Sequence, residues 1–178
     1  MSDPSSSDLF LSRSREYLGR VYPERLTAAL AVLPEGELWW QPHSGALSMG
    51  TILMHLEGNV RQWILSGVGG EPDARERTLE FSNEYREEAS VERTELLEQL
   101  ITTTRAATEL LASLGEEPLQ KGYAIQGFEV TGLEAIFHVV EHFSWHVGQA
   151  VWIAKSRAGI DHGIAFYDEA RVNNDRNA

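Results

Sequence analysis

Three histidines, His138, His142 and His146, recur at intervals of four residues, and Gln149 follows three residues after the last of them. On a helix, at about 100° per residue, the three imidazoles lie within roughly 80° of one another and form one column. Two imidazoles four residues apart can bind the same metal ion through one nitrogen each. The spacing predicts a metal site on this helix. The alternative interpretation is a set of partly buried imidazoles that are hydrogen-bonded to glutamates or to the backbone.

A fourth histidine, His55, lies earlier in the chain and begins a polar line that continues with Asn59 and Gln62. These positions fall along one side of a helix, next to its apolar stripe. A histidine from a second helix would complete a face of three nitrogens and leave one to three coordination positions for water or substrate. Asn59 and Gln149 are candidates to orient the imidazoles. Glu141 is a further candidate, although solvation at the surface is the preferred interpretation of its role.

Four amphipathic segments are available to position these side chains. Their apolar residues recur at three- and four-residue steps, which is typical of helices with one buried face. The predicted helices cover residues 8–33, 48–66, 90–114 and 131–156. Helices of this length, joined by loops long enough for crossovers, predict an all-α four-helix bundle in a single domain over residues 1–178. We expect residues 1–7 and about 170–178 to be flexible, because they are too polar to pack.

The starts of the helices are predicted from capping residues. Asp8, Ser48 and Ser90 are the expected N-caps of the first three helices, because a side-chain oxygen at that position can accept from an unpaired backbone N–H. Thr131 and Glu134 have the Thr-x-x-Glu spacing of a capping box at the start of the fourth helix.

Several features interrupt or connect the helices. Pro23 lies inside the first segment and predicts a kink or a division into two helices. Trp39 and Trp40 stand in the first loop; packing at one end of the helices is the preferred interpretation, and the wall of a ligand pocket is the alternative. Residues 67–89 are polar and predict a long surface loop that is a candidate lid. Residues 116–130 contain an alternating segment that could pair as a small hairpin.

The last helix is expected to bury one apolar stripe and to expose two tryptophans. The predicted core positions are Leu133, Ile136, Phe137, Val140, Val147, Ala150, Val151 and Ala154. Trp145 and Trp152 project from another side of the helix, where they could pack under the long loop or form the interface of a homodimer.

Composition limits the chemistry. The 178 residues include no cysteine, so a metal must be held by histidine, carboxylate or backbone oxygen, and disulfides and cysteine nucleophiles are excluded. A formal net charge of −12 and the lack of a basic stripe argue against nucleic acid as a partner. No apolar run approaches the roughly 20 residues that span a bilayer, and the N-terminus lacks the pattern of a signal peptide. We therefore expect a cytoplasmic protein without a membrane partner.

Two blocks of sequence resemble the DinB/YfiT-like superfamily of metal-binding four-helix bundles. They are LSMGTILMHLEGNVRQWI and FHVVEHFSWHVGQAVWI, which carry one histidine in the second helix and His-x-x-x-His followed closely by Gly-Gln in a later helix. The resemblance implies that His55, His142 and His146 are the metal ligands. His138 lies one turn too early for this triad, and it is expected to support the ligands or to be structural. Val147 stands where many relatives have a basic residue.

The resemblance also implies a cofactor and an activity. The cofactor would be a divalent metal ion, zinc or nickel first, with iron or manganese as further options. The activity would be that of a thiol-transferase or isomerase that uses a low-molecular-weight thiol such as bacillithiol or mycothiol, or of a hydrolase, acting on a small molecule. Alternatives remain a non-catalytic metal- or ligand-binding module of a stress response and a homodimeric structural protein.

Overall fold

The computed structural model describes residues 3–82 and 92–167, and in these ranges the chain is all-α apart from one small hairpin. The elements are α1 (Ser6–Glu16), a π-helical turn (Tyr17–Val21), α2 (Tyr22–Val32), α3 (Met49–Val60), a second π-helical segment (Arg61–Val68), α4 (Arg77–Glu80), α5 (Arg93–Ser113), α6 (Glu116–Gln120), β1 (Gly122–Ile125), β2 (Phe128–Thr131) and α7 (Gly132–Ala158). Helix α7 packs against α2 and α3, and α3 also packs against α5.

The first helix begins earlier than the sequence suggested. Ser5, and not Asp8, is the N-cap of α1: the Ser5 hydroxyl accepts from the Asp8 backbone N–H at 3.1 Å, and the Asp8 carboxylate accepts from the Ser5 N–H at 3.0 Å. The N-cap prediction for Asp8 was therefore wrong by one turn. The reason is that aspartate in the third helical position can complete a reciprocal capping box, so an acidic residue near a helix start does not identify the cap.

Pro23 divides the first helical segment, as predicted. A π-helical turn, Tyr17–Val21, precedes the proline, which lies in the first turn of α2. Proline has no N–H to donate, and its ring crowds the carbonyl group four residues earlier. The wider π turn accommodates this defect without ending the helical path.

The second and third predicted helices are present with adjusted ends. Ser48 caps α3 as expected, since its hydroxyl accepts from the Thr51 N–H at 3.1 Å. The helical path continues through the second π-helical segment to Val68, so the start of the predicted 67–89 loop is still helical. Helix α5 follows Glu92 as its N-cap, and the predicted cap Ser90 lies outside the described residues.

The residues of α7 that face the core differ in part from the predicted apolar stripe. Thr131 and Glu134 form the expected capping box. However, the side chains of Leu133 and Phe137 are 44% and 59% exposed, so their assignment to the core was wrong. The residues of α7 that are buried in the core are Ala135, Ile136, Val139, Phe143, Val147, Ala150, Ile153 and Ala154. The apolar arc of this helix is wider than the surface that α2 and α3 cover, and periodicity alone does not show which flank stays exposed.

The core fixes α7 against the first helical segment. The Phe143 ring stacks on the Tyr22 ring with centroids 5.1 Å apart, and the Tyr22 hydroxyl donates to the Val140 carbonyl at 3.2 Å. Trp39 packs against α3 at Gly50, in agreement with the packing interpretation of this tryptophan. The side chain of Trp145 is exposed, on the side of α7 that faces away from the core. No helix among residues 3–82 and 92–167 has both the length and the apolar composition needed to cross a membrane.

The predicted hairpin is present and leads directly into α7. Strands β1 and β2 pair antiparallel, with Ile125 opposite Phe128 at the turn. Gln126 and Gly127 both have positive φ, at 54° and 84°, which is typical of a tight two-residue hairpin turn. Because β2 ends at Thr131, the N-cap of α7, the hairpin is held close to the first turns of the histidine-bearing helix.

Candidate metal centre

Three histidine side chains from two helices converge on one point. His55 is on α3, and His142 and His146 are one turn apart on α7. The Nε2 atom of His142 lies 3.1 Å from that of His55 and 3.2 Å from that of His146. One ring nitrogen from each histidine lies within 4.8 Å of the other two. The two histidine-bearing helices therefore bring together the residues that the sequence selected.

The His55 ring is oriented by a buried carboxylate. Its Nδ1 atom lies 2.8 Å from Oε2 of Glu80, and Glu80 also accepts two hydrogen bonds from Arg75, at 2.6 and 2.9 Å. Burial acts to raise the pKa of Glu80, but the hydrogen bonds from His55 and Arg75 outweigh burial and hold this pKa below its usual value. An ionised carboxylate can only accept, so the Nδ1 of His55 carries the proton. Its Nε2 lone pair is then free to bind a metal ion.

The His146 ring is oriented in the same way by a neighbour on α7. Its Nδ1 atom lies 2.7 Å from Oε1 of Gln149, so the amide oxygen accepts the Nδ1 proton and Nε2 faces the other histidines. Burial lowers the pKa of His146, the hydrogen bond to Gln149 opposes this effect, and the charge of His55 adds to the lowering. The side chain is therefore neutral at pH 7, as a metal ligand must be.

His142 lies between the other two histidines of the cluster. Burial lowers the pKa of His142 to about 3, with further contributions from His146 and His55. Its Nδ1 atom is buried and has no hydrogen-bond partner in the described part of the chain. A proton on Nε2 could be donated to only one of the two neighbouring Nε2 lone pairs, whereas a cation would satisfy all three.

The donor geometry fits a transition-metal ion. Imidazole nitrogens bound at about 2.0–2.1 Å lie roughly 2.9 Å apart in octahedral sites and roughly 3.3 Å apart in tetrahedral sites. The observed Nε2 separations of 3.1 and 3.2 Å fall between these values. Such a site requires neutral rings, fixed tautomers and matching separations. Burial favours the neutral form of His142 and His146, and Glu80 and Gln149 fix the tautomers of His55 and His146.

His138 and Asn59 lie beside the triad and not in it. The His138 ring stacks on His142, with ring centroids 5.4 Å apart, and is tilted against the Trp63 ring, with centroids 4.2 Å apart. Burial lowers the pKa of His138, and the nearby Glu141 carboxylate opposes this effect. Asn59 is 3% exposed, and its Oδ1 atom has no hydrogen-bond partner among the described residues. Both side chains line the cleft next to His55 and His142.

An open cleft of about 410 Å³ adjoins the histidines. Helices α3 and α7, the segment before α4 and the hairpin all contribute to it. Its lining residues are His55, Asn59, Arg75, Arg77, Gln126, Phe128, His138 and His142. The described lining includes no Asp or Glu, although the whole chain carries a formal charge of −12. The cleft has room for a small molecule beside His55 and His142.

Sequence reasoning missed Arg75 and Glu80. Both lie in the region expected to be a loop, which instead contains α4 and a buried ion pair. One signal was present in the sequence: Gly58 occupies a helical position three residues after His55. A Cβ atom there would overlap Oε1 of Glu80 and lie 2.8 Å from Nε of Arg75. A glycine in a helix interior is unfavourable and indicates close approach by another group.

Comparisons with known proteins agree with this architecture. A family profile described as a protein of unknown function, DUF1572, matches residues 5–163. A comparison with curated proteins gives no match. The crystal structure of a DinB-like protein from Bacillus subtilis, YjoA, is similar with a TM-score of 0.61 and 16% sequence identity. The match covers 90% of this chain and 98% of that one, and at this identity it shows a shared fold.

Proposed function

This chain belongs to the DUF1572 family and has a DinB-like fold, and we propose that it binds a divalent metal ion through Nε2 of His55, His142 and His146. The observation that carries the proposal is the contact of three Nε2 atoms whose neighbouring groups, Glu80 and Gln149, hold the Nδ1 protons of two of the rings. Imidazole ligands suit zinc and nickel, which we propose first, ahead of iron and manganese.

The open face of the site supports a catalytic role. We propose a metal-dependent enzyme of the thiol-transferase, isomerase or hydrolase type that acts on a small molecule. A metal ion held by three histidines supplies Lewis acidity, which can activate water or a thiol near neutral pH. Phe128 gives the cleft an apolar wall, and the buried Asn59 amide offers an unpaired acceptor. Because the chain has no cysteine, a thiol nucleophile would have to be a separate low-molecular-weight thiol.

The charge of the cleft favours a substrate with an anionic group. Arg77 lies at the rim with its guanidinium 5.0 Å from the centre of the Phe81 ring, and it forms no ion pair within the described ranges. Arg75 is paired with Glu80, so among the described lining residues Arg77 is the cation without an ion pair. A guanidinium can bind a carboxylate through two hydrogen bonds. We expect Arg77→Gln to raise the KM for an anionic substrate and to leave metal content unchanged.

Metal content tests the proposal directly. Protein purified without added metal should contain close to one equivalent of a divalent ion by elemental analysis. His142→Ala should lose the ion while its far-ultraviolet circular dichroism stays helical, because α7 is held by apolar packing and not by this side chain. His43→Ala is the matched control, since His43 is an exposed loop residue. A full metal complement in His142→Ala would contradict the ligand assignment.

One observation favours a second candidate, a non-catalytic metal- or ligand-binding module. The described cleft lining offers His138 but no carboxylate as a group that could exchange protons with a substrate. Metal-loaded protein should be assayed with electrophilic small molecules and several low-molecular-weight thiols, and separately for hydrolysis of activated esters. Turnover that disappears in His142→Ala supports the enzyme. Consistent inactivity with one metal equivalent bound supports the module.

A further inference from the structure

We propose that Arg75 and Glu80 position His55 for metal binding, so that metal binding and the docking of residues 72–82 onto α3 stabilise one another. We call residues 72–82 the docking segment. The proposal rests on the proposed metal site, and it assigns Arg75 and Glu80 as positioning residues that hold a ligand without touching the metal ion themselves.

The docking segment contains an ion pair, Arg75–Glu80, that is almost completely buried. The Arg75 side chain is 3% exposed and the Glu80 side chain is 10% exposed. The pair is bidentate, with Nε–Oε1 at 2.6 Å and Nη2–Oε2 at 2.9 Å. A buried ion pair contributes little net stability, because desolvation offsets the attraction between the charges. The second contact of Oε2, to Nδ1 of His55 at 2.8 Å, provides a role that an apolar pair could not fill.

Arg75 also attaches the docking segment to the helical path that carries His55. Its Nη1 donates to Oε1 of Gln62 at 2.9 Å, and its Nη2 lies 3.4 Å from the carbonyl oxygen of His55. Gln62 in turn donates to the Asp73 carboxylate at 2.8 Å, and Asp73 accepts from the Arg75 backbone N–H at 3.0 Å. The backbone and the guanidinium group of Arg75 are thus both held by contacts other than those with Glu80.

Gly58 provides the space in which this ion pair docks. A methyl group at this position would overlap Oε1 of Glu80 and lie 2.8 Å from Nε of Arg75. Gly58→Ala therefore displaces the pair without changing any charge. The Phe81 ring lies 5.2 Å from the His55 ring. The docking segment thus supplies both the acceptor for Nδ1 and an aromatic neighbour of the imidazole.

The hydrogen bond from Nδ1 of His55 to Glu80 couples metal binding to the docking of residues 72–82. With Nδ1 protonated and held, His55 presents the Nε2 lone pair; without Glu80, the ring can rotate or carry its proton on Nε2, which cannot then bind a metal ion. Coupling between two equilibria is reciprocal. A metal ion on Nε2 must therefore favour the docked state of residues 72–82 by the same factor as docking favours the metal ion.

Metal affinity measured by competition with a chelator tests the positioning role. We expect Glu80→Ala and Gly58→Ala each to weaken zinc binding by about 10- to 100-fold, the range typical when a partner of a ligating histidine is lost. Glu76→Ala makes the same substitution at an exposed position of the docking segment and should leave zinc affinity unchanged. Gly50→Ala tests general damage to α3, because a Cβ there would overlap the Trp39 ring and not the ion pair. It should lower thermal stability without changing zinc affinity.

Hydrogen exchange tests the reciprocal effect. Zinc should slow exchange of the backbone amides of residues 73–82 in the natural sequence, and it should not do so in His142→Ala. Unchanged zinc affinity in both Glu80→Ala and Gly58→Ala, with one zinc bound by the natural sequence, would overturn the positioning role and leave the proposed function intact. An equal loss of zinc affinity in Gly50→Ala would also overturn it. Failure of the natural sequence to bind any divalent metal would overturn the proposed function itself.

Discussion

Acid release of the metal ion gives a quantitative test of the site. Protons compete with metal ions for imidazole nitrogens, and an imidazole with the ordinary pKa of about 6.5 is almost fully protonated at pH 5. Burial, and then the charges of His146 and His55, lower the pKa of His142 to about 3. A lowered pKa means that the ring binds a proton less tightly. His142 is therefore neutral throughout the range in which ordinary histidines lose their metal ions.

The expected effect follows from counting displaced protons. Between about pH 6 and pH 5, each protonated ligand makes the apparent affinity fall by about tenfold per pH unit. Three ordinary imidazoles would give a fall of about 1,000-fold. With His142 neutral, at most two protons are displaced and the fall is at most about 100-fold. Burial also lowers the pKa of His146 against the opposing hydrogen bond from Gln149, which reduces the fall further.

The assay is a zinc titration against a chelator whose own affinity is known across this pH range. A plot of the logarithm of the dissociation constant against pH should have a slope of magnitude two or less. Circular dichroism of the metal-free protein in the same buffers checks that the helices remain folded. A slope of three would show that His142 is protonated in the metal-free protein, and it would refute the claim that burial keeps this ring neutral.

Three further predictions concern single contacts. Thr131→Ala removes the capping side chain of α7 and should lower the free energy of unfolding by about 1 kcal/mol in a urea titration, whereas Thr131→Ser should retain the cap. Phe143→Ala removes a fully buried ring that stacks on Tyr22 and should destabilise by about 3–5 kcal/mol in the same assay; a loss below 1 kcal/mol would contradict the packing. Gln149→Ala removes the acceptor for Nδ1 of His146 and should weaken zinc binding about tenfold, with Gln149→Glu restoring it.

The sequence was most informative where the determinants are local. Ser48 and the Thr131–Glu134 pair act within one helical turn, so their capping hydrogen bonds could be predicted from spacing alone. The spacing of His142 and His146 also follows directly from the helical repeat. The addition of His55 came from a resemblance to a family, because no periodic pattern relates residues that are 87 positions apart.

The sequence was least informative where the neighbour of a side chain decides its role. Leu133 and Phe137 fit the helical period but lie on the flank of α7 that no described element covers. Arg75 and Glu80 stand in a polar segment without periodicity, so their charges suggested a solvated loop. Their burial depends on Gly58, which admits the ion pair to the surface of α3. Such contacts arise from the packing of segments against each other and leave little trace in local composition.

The two ways of holding Nδ1 divide the site into a local part and a tertiary part. His146 is oriented by Gln149, three residues away on the same helix, so α7 alone can present two imidazoles, one of which is held through its Nδ1 atom. His55 is oriented by Glu80, which is 25 residues away and requires both α3 and a docked segment. Two imidazoles bind a metal ion weakly, and the third completes the site. High affinity should therefore appear only when α3, α7 and residues 72–82 are assembled, which makes metal affinity a sensitive measure of the native tertiary structure.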